Sequence, residues 1–175
     1  MSGDNETFAD LFAANIEFTK NFEPHQLTGR ALKGLAIVTC MDSRIEPLKI
    51  VGMKAGDAKI LRNAGARVTE DVLRTLVLAT HLLNVNRVLV MPHTDCRMAT
   101  GTEPEIHAAI LEASGVDTRS IEIRTVKDQR AALETDVTRI RTYPLLPTGL
   151  EVIGAIYHVE NGTLEKLFSG GGNPI

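Results

Sequence analysis

The chain has 175 residues and a formal net charge of −3, from 19 Lys plus Arg against 22 Asp plus Glu. That length suits one domain with its own core, and the slightly acidic balance excludes a dedicated nucleic-acid binder, which carries a basic excess. Trp is absent and aromatics are 4%, so a stacking platform for single strands is excluded as well. No apolar run approaches the roughly 18 residues of a membrane span, and the N-terminal MSGDNETFAD is acidic where a signal peptide needs a basic and then an apolar stretch. The expectation is a cytoplasmic protein that binds neither nucleic acid nor membrane.

Residues 5–22 read as an amphipathic helix. Phe8, Leu11, Phe12, Ile16 and Thr19 fall on one 3.6-residue stripe, with Phe18 and Phe22 beside it. Pro24 and Gly29 separate this segment from the rest, so it either covers the chain's own core or docks on a partner subunit. The centre then repeats one pattern three times, a short apolar run ending in a polar cluster. Residues 35–39 lead to Cys40-Met41-Asp42-Ser43-Arg44, residues 58–61 to Arg62-Asn63-Ala64-Gly65, and residues 87–91 to Pro92-His93-Thr94-Asp95-Cys96. Such runs, without alternation, suit strands buried on both faces of a parallel sheet.

Thr69, followed by Glu70 and Asp71, opens a helix between the second and third runs, with Val72, Leu73, Leu76, Val77 and Leu83 on its apolar face. Thr102 and Glu105 form a capping box for the next helix, which stops at Gly115. Another is expected over residues 128–142. Residues 150–159 alternate like a strand, Asn161-Gly162 signals a type I′ turn, and residues 163–168 return. The expected fold is α/β, a mainly parallel central sheet flanked by helices with an antiparallel C-terminal edge hairpin. It divides into a helical arm over residues 1–34, a single α/β domain over 35–168 and a Gly-rich tail over 169–175.

In open parallel sheets, ligands bind beyond the carboxyl ends of the strands. That rule gathers Cys40, Asp42, His93 and Cys96 at one sheet edge. Two Cys and one His make a ligand set suited to Zn²⁺ and poor for Mg²⁺ or Ca²⁺. They leave a tetrahedral ion one position short, to be filled by water or by a carboxylate, for which Asp42 is the candidate. Arg44 can hold that carboxylate in a bidentate pair, so Asp42 has two competing partners. Arg62 and Asn63 are expected to tie strand-end loops together and, with Gly65, are candidates for substrate contact. Asp95 is read as a cap for the helix after the loop or as a residue that holds a neighbouring group, and is placed outside the site. His25, His81, His107 and His158 lack partner spacing and are expected at surfaces or in helices.

Cys40-x-Asp42-x-Arg44, Arg62-Asn63-Ala64-Gly65 and His93-x-x-Cys96, in this order, closely resemble the β-class carbonic anhydrases, including their compact relatives that hydrolyse carbonyl sulfide or carbon disulfide. The resemblance covers residues 33 to 100 in motif order. It implies Zn²⁺ on Cys40, His93 and Cys96, with Asp42 as gate or fourth ligand and Arg44 as its partner. It also implies a homodimer or higher even oligomer, with the N-terminal helix packed across the partner. The expected reaction is reversible hydration of CO₂ to bicarbonate by zinc-bound hydroxide. The alternatives are hydrolysis of carbonyl sulfide or carbon disulfide on the same scaffold, or a zinc-stabilised binding or regulatory protein without turnover. The pattern departs at Arg97, where the family usually has Gly; a side chain there is expected to strain the loop, fill the pocket or project a cation.

Overall fold

The computed structural model describes residues 6–22 and 26–168. The expected tail, His25 and Asn5, the first residue of the expected N-terminal helix, lie outside them. A five-stranded sheet forms the centre, made of β1 (Leu35–Cys40), β2 (Ala58–Asn63), β3 (Arg87–Met91), β4 (Glu151–Tyr157) and β5 (Leu164–Phe168), in the order β2-β1-β3-β4-β5. The first four run parallel, and β5 returns antiparallel on β4, as the sequence predicts.

Position in the sheet explains burial along each strand. β1 has a neighbour on both sides and is buried throughout. Its one polar residue before the ligand cluster, Thr39, donates its hydroxyl to the Met91 carbonyl at 2.8 Å, which satisfies a buried group. β2, expected to be buried on both faces, is only half-buried. It has one neighbour because the topology places it at the edge, a consequence of strand order that its own residues do not carry.

Two helices cover one face. α3 (Glu70–Leu82) starts where the Thr69 side chain accepts from the Val72 N–H, and it buries Val72, Leu73, Leu76 and Ala79. α5 (Gln129–Arg141) starts where Asp128 accepts from the Arg130 and Ala131 N–H groups, and it buries Leu133, Asp136, Val137 and Ile140. Both pack with Ala36, Val38, Val88, Val90 and Val152 of the sheet. Each Leu or Ile fully buried there contributes about 1.5–3 kcal/mol. Gly154 lets α5 sit close, because a Cβ at that position would lie 2.9 Å from the Leu133 Cγ. The opposite face packs Leu35, Ile37, Leu89, Met91 and Ala155 with Cys40 and Cys96.

α4 (Glu103–Ser114) has the predicted capping box and ends at Gly115. A short helix, α2 (Pro47–Ile50), was not anticipated; Pro47 at its first turn is the signal. The β4–β5 hairpin forms, but without the predicted type I′ turn. Among the two turn residues only Gly162 has positive φ, at 76°, whereas type I′ needs both. The connection instead spans His158 to Thr163, closed by the His158 N–H to the Thr163 carbonyl, with the Asn161 side chain accepting from the Thr163 N–H.

α1 (Ala9–Lys20) buries none of its residues. Leu11, Phe12, Ile16 and Phe18 are 58%, 71%, 63% and 62% exposed, so the amphipathic helix does not cover the chain's own core. Among the described residues, no helix is long and apolar enough to cross a membrane.

Candidate metal centre

β1 and β3 are adjacent and parallel, so the loops leaving their carboxyl ends lie side by side. Cys40 ends β1, and Pro92 to Cys96 follow β3, held in line by the Thr94 N–H to the Tyr157 carbonyl at 2.9 Å and the Tyr157 N–H to the Pro92 carbonyl at 2.9 Å. This brings Cys40, His93 and Cys96 together, all buried, with one donor atom from each within 4.8 Å of the others. The two sulfurs are 3.9 Å apart. Two thiolates on a tetrahedral Zn²⁺, each at about 2.3 Å, sit roughly 3.8 Å from one another.

The imidazole supplies a second test of fit. His93 Nδ1 lies 2.7 Å from the Thr94 carbonyl, which can only accept, so Nδ1 carries the proton and Nε2 presents a lone pair. Nε2 is buried and has no hydrogen-bond partner among the described residues. A buried, unpaired nitrogen facing two sulfurs is costly unless something electrophilic meets it. The donor set therefore fits a borderline-soft cation.

The charges agree. A hydrogen bond from the Cys96 thiol, opposed by burial and helped by His93 and the Gly65 N–H, lowers the Cys40 pKa to about 3. Cys96 is pushed up by that same Cys40 contact and by burial. Burial works against charging His93, yet the Cys40 thiolate beside it outweighs that and raises it. A divalent cation answers the negative surroundings that otherwise draw a proton.

Asp42 faces Arg44. Arg44 Nε and one terminal nitrogen donate to the two Asp42 carboxylate oxygens at 2.9 and 2.8 Å, and the Arg44 backbone N–H adds a third bond at 2.9 Å. These hold the Asp42 carboxyl well below the usual carboxylate range. The same carboxylate has Oδ2 3.8 Å from His93 Nε2, so it borders the donor set while bonded to Arg44.

Asp95, which the sequence reading left outside the site, is drawn into it. Its Oδ2 accepts from Arg44 at 2.7 Å and its carbonyl accepts from Arg44 at 3.0 Å. The one signal in the sequence is its place between His93 and Cys96. Arg62 ties the loops as expected, donating to the Cys40 carbonyl at 2.9 Å and the Asp42 carbonyl at 2.6 Å. The Asn63 side chain is spent on the Arg67 backbone, at 2.7 and 2.8 Å. Gly65 has φ 79°, and its N–H donates to the Cys40 sulfur at 3.4 Å. A Cβ there would lie 3.2 Å from the Met98 Cβ, so glycine serves both the turn and the approach.

Arg97 neither strains the loop nor fills the site. It opens a 3-10 turn over Arg97–Ala99, is not among the residues with positive φ, and is exposed with its guanidinium on the Thr100 hydroxyl at 2.7 Å. The left-handed residue of this loop is Asp95, at φ 54°. His81 and His107 lie on α3 and α4 as expected, whereas His158 has two carboxylate partners, Glu160 at 3.0 Å and Glu165 at 3.2 Å. Beside Cys96 runs a partly enclosed cleft lined by Gly65, Arg67, Met98, Val126 and Asp136 among others.

Fold and donor set together define an α/β protein with a buried Cys–His–Cys group that could hold a metal ion. The sequence model of the carbonic anhydrase family matches residues 35–164. Beta-carbonic anhydrase 1 of Mycobacterium tuberculosis is 33% identical over 161 residues, covering 90% of this chain and 96% of that protein. A carbon disulfide hydrolase of Saccharolobus solfataricus is 28% identical over 167 residues, covering 78% and 81%. The crystal structure of carbonic anhydrase from Streptococcus mutans superimposes with a TM-score of 0.86 at 33% identity, over 96% of this chain and 99% of that one. This chain belongs to the carbonic anhydrase family, as its motifs suggested.

Proposed function

We propose that the protein catalyses the reversible hydration of CO₂ to bicarbonate, with Zn²⁺ held by Cys40, His93 and Cys96. The observation that carries this reading is the unpaired, buried Nε2 of His93 facing two sulfurs 3.9 Å apart. Bound there, Zn²⁺ supplies an acidified water as nucleophile, less strongly than in a three-histidine site because two thiolates neutralise its charge.

The chain's own residues do the rest. The Asp42 carboxylate accepts a hydrogen bond from the nucleophile's O–H and thereby turns an oxygen lone pair toward the carbon of CO₂. Arg44 keeps that carboxylate ionised and oriented. Asp42 is also the gate: moved from Arg44 to the cation, it would occupy the position the nucleophile needs.

Two broader assignments accompany this one. A second copy of the chain is the partner for the exposed apolar side chains of α1, giving a homodimer. The unpaired thiols Cys40 and Cys96 suit the reducing cytoplasm.

The experiment is zinc quantification and CO₂ hydration across pH on one sample. One zinc per chain is expected, lost with activity in Cys40→Ser and Cys96→Ser, whereas Asp42→Asn should keep zinc and lose most turnover. Carbon disulfide hydrolases among the relatives favour a second reading, tested by sulfide release from carbonyl sulfide or carbon disulfide. Full zinc content with neither activity at alkaline pH would leave a zinc-stabilised binding protein.

A further inference from the structure

We infer that Asp95 is a positioning residue that holds Arg44 in place and thereby keeps Asp42 off the cation site; this rests on the role proposed above for Asp42. Arg44 makes four side-chain hydrogen bonds, two to Asp42 and two to Asp95, its carboxylate at 2.7 Å and its carbonyl at 3.0 Å. Asp42 sits two residues past Cys40, and Asp95 lies between His93 and Cys96. One guanidinium therefore spans both loops that carry the donor atoms.

Stability does not account for this arrangement. Asp95 is 70% and Arg44 46% exposed at the side chain, and exposed pairs of this kind contribute little to folding. Asp95 also adopts φ 54°, a conformation that L residues avoid and Asp tolerates better than most. That backbone turn presents both its carbonyl and its carboxylate to the same guanidinium.

The effect follows from the freedom of a long side chain. Arg44 has several rotatable bonds and stands half in solvent, so a bidentate grip on Asp42 alone would be made against considerable rotamer loss. Asp95 fixes the far side of the fork in advance. Asp42 then meets a guanidinium already aimed at it, which biases the carboxylate toward Arg44 and away from the metal. Removing the Asp95 carboxylate loosens Arg44 and lets Asp42 visit the cation more often.

The test uses the zinc-loaded full chain. The ¹⁵N–¹H signal of the Arg44 Nε–H group reports its order directly, apart from activity. Asp95→Gly keeps the positive φ and the carbonyl and deletes only the carboxylate. Hydrogen exchange at Arg44 Nε should speed up, zinc content should stay at the wild-type level, and kcat should fall roughly tenfold with KM unchanged. Asp95→Asn retains a neutral side-chain oxygen and should lie between the two. Wild-type exchange and wild-type kcat in Asp95→Gly would overturn the inference. If that variant does not fold, the same pair of results in Asp95→Asn would overturn it. Zinc loss in Asp95→Asn with Arg44 still protected would do so as well, since Asp95 would then serve the loop and not Arg44. If the wild-type protein hydrated no CO₂, the proposed function would fall, and the exchange comparison would still decide the role of Asp95.

Discussion

The sulfurs of Cys40 and Cys96 stand 3.9 Å apart although 56 residues separate them. The contact exists only because β1 and β3 are neighbours, so the site is absent from the unfolded chain and a cation bound there would stabilise the fold by linkage. Chelation should lower the melting temperature by on the order of 10 °C, if the ion is present at about a thousand times its dissociation constant. Scanning calorimetry with and without added zinc checks this. Cys96→Ser should melt near the chelated wild type and not respond to zinc.

Arg67 and Asp136 form an ion pair at 2.7 Å, with side-chain exposures of only 19% and 5%. A buried pair contributes little against apolar replacements, whereas breaking it strands a charge. Arg67→Met alone should destabilise by about 3–5 kcal/mol, and Arg67→Met/Asp136→Leu should recover most of that loss. Urea unfolding of the wild type, Arg67→Met, Asp136→Leu and the double variant measures it. Additive losses in the cycle would contradict the coupling.

How much of this was legible in the sequence varies by element. β1 and β3 were readable because their buried runs are continuous, and the candidate ligands follow directly at their ends. Thr69, Asp128 and Thr102 announced their helices through side chains that act within one turn. The half-burial of β2 was not readable, since edge position depends on strand order. That Asp95 could hold a neighbouring group was readable, but not which one, because a left-handed loop residue and an arginine 51 positions away meet only in three dimensions. Asn161-Gly162 marked a hairpin, but the Asn161 side chain settled on Thr163 and fixed a longer turn.

Phe12 and Ile16 are 71% and 63% exposed on α1. If α1 carries the proposed subunit contact, Phe12→Asp/Ile16→Asp should leave the protein monomeric in sedimentation velocity where the wild type sediments as a dimer. Because α1 buries none of its residues on its own chain, the helical signal of residues 35–168 should persist in the monomer. A dimer of unchanged affinity would assign the subunit contact to another face.

His158, bridged by Glu160 and Glu165, titrates above its ordinary value because both carboxylates bond its ring. Glu160 is lowered by backbone bonding, by Thr94 and by His158, and Glu165 by Arg130 and then by His158. The cluster's stabilisation is therefore present above the unfolded Glu pKa and below the unfolded His pKa, between about pH 4.5 and 6.5. It is lost as pH rises through the raised His158 value or falls through the lowered Glu values. The melting-temperature gap between wild type and His158→Gln should be widest near about pH 5.5 and close by about pH 9. A gap that grew toward alkaline pH would contradict this.

The absent side chain at Gly154 reaches further than its own strand. It sets the depth at which α5 beds on the sheet through Leu133, and the first residue of that helix, Gln129, donates its side-chain amide to the carbonyl of His93 at 2.6 Å. The helix thus works as a lever, with its fulcrum on a hydrogen atom and its tip on the backbone of an imidazole donor. A single extra carbon at the fulcrum would be felt at the candidate metal centre.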